Sequence, residues 1–147
     1  MTAHPQIRLG AVDYLYARPL VYGLEMRSDL FSLRFDVPSK CAALLHEGSI
    51  EVGMIPSIEY LRGSSDYRIV PDCAIVSDGK VASVAVFSTK PIGQVRSIAV
   101  DTSSRTSNGL VRVLCYEVFG TDPKLVPIPP RIDEMLTACE AALLIGD

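Results

Sequence analysis

The chain has 147 residues, 48% of them apolar, and a formal net charge of −3. That length builds one compact domain or two small lobes, and the mild acidity leaves no electrostatic footprint for nucleic acid and no basic run for a membrane surface. No apolar run approaches the roughly 20 residues a bilayer span needs, and MTAHPQIRLG has neither n-region nor h-region of a signal peptide, so a cytoplasmic protein is expected.

Residues 7–12 read as a strand and residues 13–18 as a turn. Pro19 fits the first turn of a helix continuing through Leu20, Leu24 and Met26. Residues 31–37 alternate Phe, Leu, Phe and Val with Ser, Arg and Asp, the pattern of a half-buried strand. Pro38 opens a helix carrying Cys41, Leu44 and Leu45 that stops at Gly48. Residues 50–55 form a third strand, and Pro56-Ser57 starts a short helix ended by Gly63. The order βαβαβα predicts a doubly wound parallel sheet. Such sheets take ligands outside the carboxyl ends of their strands, the edge where the turns at 13–18 and 56–57 lie. Ser57 on that edge reads first as a helix cap, a role that coincides with ligand contact.

Apolar runs at 68–70 and 74–76 precede a turn at 77–80 and a long apolar strand at 81–88, in which Ser83 is the interior polar residue. Ser83 is either a small residue tolerated in packing or, since a buried hydroxyl wants a partner, a cleft residue. Lys90-Pro91-Ile92-Gly93 marks a boundary. The expected domains are a first βα lobe over 1–90, including the crossing strand 81–88, and a partial second lobe over 91–147. The second lobe reads as strand 97–100, a helix, strand 124–128, a Pro129-Pro130 break, helix 131–139 and strand 141–145. Three strands and two helices make a thin lobe with exposed apolar flanks, so the second lobe is expected to be incomplete and the chain open to self-association.

Residues 101–120, DTSSRTSNGLVRVLCYEVFG, organise this lobe. Leu110, Val111, Leu114, Cys115 and Val118 recur on one face of a 3.6-period helix. Ahead of them stand Thr102, Ser103, Ser104, Thr106 and Ser107, more capping hydroxyls than one helix uses. A helix N-terminus carries roughly half a positive charge, yet residues 104–108 hold no acid and one cation, Arg105. Spare N–H groups, hydroxyls and a guanidinium at a strand-to-helix turn suit a carboxylate or phosphate. The bland alternative is a Ser-rich cap with Arg105 in water, or Arg105 paired with Asp101 or Asp147. Asp13 and Asp147 are acids on the same kind of edge. Cys41, Cys73, Cys115 and Cys139 form no C-x-x-C pair, and His4 and His46 fall in no ligand spacing; reduced thiols, no metal site and no catalytic triad are expected.

The opening IRLGAVDYLYARPLVYGLE, the segment IEVGMIPSIEYL, the strand DGKVASVAVFS, the turn TSSRTS and the closing AALLIGD stand in this order along the chain. In that order they resemble chorismate dehydratase, the periplasmic-binding-protein-like enzyme family of the futalosine route to menaquinone. The resemblance implies an α/β, two-lobed type II periplasmic-binding-protein-like fold with its second lobe incomplete. It implies a hydro-lyase that converts chorismate to 3-[(1-carboxyvinyl)oxy]benzoate, a small-molecule substrate and no cofactor. Tyr16 and Ser83 take the catalytic positions; Ser57, Ser104, Arg105, Thr106, Ser107 and Asp147 take substrate-binding ones. Two departures stand out. The family pattern Tyr-Leu-Asn-x-x-Pro-Leu is Tyr14-Leu15-Tyr16-Ala17-Arg18-Pro19-Leu20 here, so a phenol replaces a compact amide. The family is also roughly twice as long. Competing readings are a dicarboxylate-binding module without chemistry and a truncated remnant of the enzyme.

Overall fold

Period-two alternation builds the first sheet. β1 (Ile7–Val12) pairs in parallel with β2 (Phe31–Asp36) and with β3 (Val52–Gly53), in the order β2-β1-β3. Along β2, Leu33 and Phe35 are half-buried while Ser32 and Arg34 face out. The computed structural model describes residues 5–63 and 67–146; His4 and Asp147, considered above, lie outside them. The third strand is shorter than expected, although Glu51 N–H to Arg8 O and Met54 N–H to Gly10 O extend its hydrogen bonding at both ends. α2 (Pro38–His46) buries Cys41, Ala42 and Leu44, and Cys41 joins Val12 and Ala17 in the core of this unit. Gly10 lets these groups pack closely: a Cβ there would sit 2.6 Å from Ile50 Cδ1, so the end of the Ile50 side chain would have to shift. Burial pushes the Cys41 thiol up to about 11, so it behaves as a neutral core group.

The helix expected after Pro19 is broken into pieces. A 3₁₀ turn at Leu15–Ala17 leads into α1 (Arg18–Val21), and a second 3₁₀ turn follows at Leu24–Met26. Gly23 between them has φ +80°, a left-handed conformation that stops the helix and that glycine adopts without a Cβ penalty. α3 (Ser57–Arg62) starts after Pro56 at its N-cap, so Ser57 is its first helical residue rather than its cap. Within α3, Glu59 is 4% exposed. His46 Nε2 lies 2.9 Å from Glu59 Oε2, and His46 Nδ1 bonds the Tyr67 hydroxyl. Sequence alone gave His46 a polar helix face; here its ring ties α2 to α3. The runs at 68–70 and 74–76 form no strand, and Ile69 and Val76 are exposed.

The chain divides after Ser77, and the second unit runs Asp78–Gly146. The division expected at residue 90 falls earlier because β4 (Val84–Ser88) pairs antiparallel with β7 (Ala141–Ile145). β7 lies parallel to β5 (Ser97–Asp101), which lies parallel to β6 (Lys124–Ile128), giving the order β4-β7-β5-β6. Residues 81–83, expected within the crossing strand, precede β4. Pro127 is accommodated because β6 is an edge strand, where a missing N–H breaks no ladder.

Helices cover both faces of this sheet. On one, α4 (Thr106–Glu117) sets Val111 and Cys115 against Ile98, Val100, Ala141 and Leu143. On the other, α5 (Ile132–Ala138) sets Met135 against Ala99 and Ala142. Consecutive residues of β5 and β7 thus serve opposite cores, as the pleat dictates. Only part of the expected α4 stripe is buried: Leu110 is 53% and Val118 64% exposed. No helix among the described residues is long and apolar enough to cross a membrane.

Cys41, Cys115 and Cys139 are buried and Cys73 is exposed, all as free thiols. A native thiol titration with Ellman's reagent is therefore expected to show one fast-reacting cysteine, with the rest reacting only on unfolding. Cys73→Ser should remove the fast phase; a persisting fast phase would show that a core has opened.

Candidate functional site

Asp101 ends β5 and is fully buried, at 0% exposure. A carboxylate there needs donors, because an ionised carboxyl accepts only. Its Oδ1 accepts from the Ser103 N–H at 2.7 Å and the Ser103 hydroxyl at 2.6 Å, and its Oδ2 accepts from the Ile145 N–H at 3.2 Å. Asp-x-Ser here closes a turn in which the side chain replaces a backbone acceptor. Asn108, the third residue of α4, closes the turn from the other side. Its Nδ2 donates to Asp101 O at 3.0 Å and to Ser104 O at 2.8 Å. The Asn108 Oδ1 is buried and has no hydrogen-bond partner among the described residues.

This scaffold sets how α4 begins. Arg105 occupies the N-cap with φ −125° and ψ −44°, and no cap side chain bonds the first turn, whereas a Ser or Thr cap was expected. The first helical bond runs from Gly109 N–H to Arg105 O. The N–H groups of Ser107 and Asn108 close on no acceptor among the described residues. The first turn contains no acid. Ser104 is buried, while Arg105, Thr106 and Ser107 are partly exposed. Two amide donors, the hydroxyls of Thr106 and Ser107 and a guanidinium therefore share the positive end of a 12-residue helix. This arrangement can hold a carboxylate or a phosphate.

The same sheet edge gathers other candidates of the second unit. β4 runs antiparallel to β7, so its start lies beside the carboxyl end of β7, and the Gly146 N–H donates to Ser83 O at 3.0 Å. Ser83, the end of β7 and the turn before α4 are thus linked in one hydrogen-bonded series. Ser83 is half-buried and lies outside the strand.

In the first unit, β1 and β3 are parallel neighbours, so the segments after them share an edge. The segment after β1 carries Tyr16, 38% exposed, with its ring centroid 5.4 Å from that of Tyr14. Arg18 closes this segment by donating to Asp13 Oδ1 at 2.6 Å while lying 4.5 Å over the Phe35 ring. Asp13 is thereby committed to an arginine. The segment after β3 carries Ser57 at the start of α3, a helix of only six residues. Of the residues that shape these edges, sequence reasoning passed over Asn108 and offered Asp101 only as a partner for Arg105. The Asp-x-Ser spacing was the available clue to the turn, but Asn108 had none, since its role depends on where α4 starts.

The family model described as menaquinone biosynthesis matches residues 7–147. A chorismate dehydratase from Thermus thermophilus is 29% identical over 139 residues, covering 95% of this chain and 50% of that protein. Among solved structures, protein AF1704 from Archaeoglobus fulgidus superposes with a TM-score of 0.76 at 20% identity, over 96% of this chain and 54% of its own, and so shares the fold. The chain spans about half the length of these proteins. Matched by the family model from β1 to its last residue, the chain belongs to the menaquinone biosynthesis family.

Proposed function

We propose that this chain carries substrate-binding and catalytic elements of a chorismate dehydratase, a hydro-lyase that forms 3-[(1-carboxyvinyl)oxy]benzoate within menaquinone biosynthesis. The observation that carries the reading is the start of α4. There the Ser107 and Asn108 N–H groups, without an acceptor among the described residues, stand beside Arg105 with no acid in the first turn. Chorismate bears two carboxylates, and such a helix start suits one of them. In this reading the fold is a two-lobed, type II periplasmic-binding-protein-like one. Ser104, Arg105, Thr106, Ser107, Ser57 and Asp147 bind substrate, and Tyr16 and Ser83 act at the reacting ring.

The chemistry asks little of a protein base. Loss of the ring hydroxyl and of a proton from the neighbouring ring carbon yields water and an aromatic ring, and aromatisation drives the step. The substrate's own side-chain carboxylate takes the proton once binding fixes its geometry. Hydroxyl donors such as Ser83 and the Tyr16 phenol serve to orient the ring and the leaving hydroxyl. The four free cysteines fit a reducing, cytoplasmic setting.

Incubation with chorismate is expected to yield the aromatic product, detected by chromatography and mass. Loss of a charge-assisted hydrogen bond in Arg105→Ala should weaken chorismate binding about tenfold or more. Tight binding without product would replace the enzyme with a dicarboxylate-binding module; no binding at all would remove the assignment.

Tyr16→Asn, which restores the compact amide of the family pattern, should raise turnover. An unchanged rate would count against a role for this position at the reacting ring.

Leu110, Val113 and Tyr116 on α4, and Val86 and Phe87 on the edge strand β4, are exposed apolar groups. They support self-association of the chain by itself. Sedimentation velocity should show mass rising with concentration; a monomer at every concentration would overturn this.

A further inference from the structure

We infer that Asp101 and Asn108 are positioning residues that hold Ser83 and the Ser104–Ser107 turn in fixed relation, and that they thereby set selectivity for a ligand with two anionic or polar ends over a simple monoanion. The inference rests on the chorismate reading and adds a pair of residues to it. Ser83 and Ser107 belong to different strand connections. One hydrogen-bonded series joins them: Ser83 O accepts from Gly146 N–H, the adjacent Ile145 N–H donates to Asp101 Oδ2, and Asp101 Oδ1 accepts twice from Ser103. Asp101 O then accepts from Ser104 N–H and, with Ser104 O, from Asn108 Nδ2.

The carboxylate is the junction of that series. It sits at the end of β5, one strand away from β7 and two from β4, and its two oxygens serve different segments of the edge. It also removes donors from the ligand's reach. The Ser103 hydroxyl and N–H and the Ile145 N–H are spent on an internal anion, which leaves Ser107 and Asn108 as the open amides of the turn among the described residues. Asn108 works as a donor clamp, since its Nδ2 bonds two backbone carbonyls while Oδ1 meets no partner among the described residues. Asn108→Asp would turn a carboxylate oxygen toward those two carbonyls and repel them.

The test compares two probes on the whole chain: chorismate, and benzoate as a monoanion. Equilibrium dissociation constants are measured for the unchanged protein, Asn108→Ala, Asn108→Asp, Ser103→Ala and Asp101→Asn, each checked for cooperative unfolding. A general weakening of the fold would move both probes together. A positioning role predicts that Asn108→Ala and Asn108→Asp raise the chorismate constant about tenfold, the scale of one well-made hydrogen bond, while benzoate changes by less than about twofold. Ser103→Ala, which keeps the backbone bond to Asp101 and removes only the hydroxyl, should give a smaller shift of the same kind. Asp101→Asn at a buried site is prone to misfold, so the Asn108 and Ser103 variants decide the matter. Folded variants that bind both probes like the unchanged protein would overturn the inference and leave the chorismate reading standing. If the unchanged protein binds neither probe, the reading and the inference fall together.

Discussion

A carboxylate removed from water has to be surrounded by donors, because leaving it bare costs several kcal/mol, of order 3–5 when a partner is taken away. Asp101 is in that position, and each donor it recruits comes from a segment that would otherwise be independent. β5 and β7 are held by their ladder, but a ladder says nothing about the chain once it leaves the sheet. The carboxylate carries the order of the sheet one residue further, into the turn before α4 and the exit of β7. Satisfying one buried carboxylate and ordering the turn before α4 are here the same event.

Both units use the same device at different cost. In each, parallel strands end on one edge and helices or turns begin there, so the groups on that edge are supported by a sheet behind them. The first unit anchors its edge through Ala17 of the 3₁₀ turn, which is buried with Val12 and Cys41. Beside Tyr16, Arg18 also pairs with Asp13 and stacks on Phe35, and an exposed pair of that kind contributes little, about 0–1 kcal/mol. The second unit holds its edge through buried side chains, where hydrogen bonds are stronger and geometry is better defined.

Sequence alone disclosed the elements whose pattern comes from packing. β5, β7, α2 and α5 were legible because continuous apolar runs or 3.6-period spacing are imposed by a core beside them. The chain near 68–76 could not be assigned, because short apolar runs such as Arg68-Ile69-Val70 look the same whether they pair in a sheet or lie exposed. The unit boundary was misplaced for a topological reason: nothing local in Val84–Ser88 says that its partner is the distant Ala141–Ile145. Of the site, the hydroxyls, Arg105 and the absence of acid could be read directly. The internal wiring through Asp101 and Asn108 could not, since it depends on which residue α4 starts from, and a shift of that start would send Asn108 to another face.

The exposed part of α4 bears on how much of the protein this edge needs. Val111 and Cys115 anchor the helix to the sheet, while Leu110, Val113 and Leu114 form a neighbouring apolar stripe open to solvent. A stripe of that width on a surface helix ordinarily faces a core. Asp101 and Asn108, by contrast, brace the turn at Ser104–Ser107 through hydrogen bonds to groups within Asp78–Gly146. The Asp101 junction is bonded to Ser103 and to β7 rather than to that outer face, so a change at Leu110 or Val113 would act on α4 without touching the bonds that hold its start.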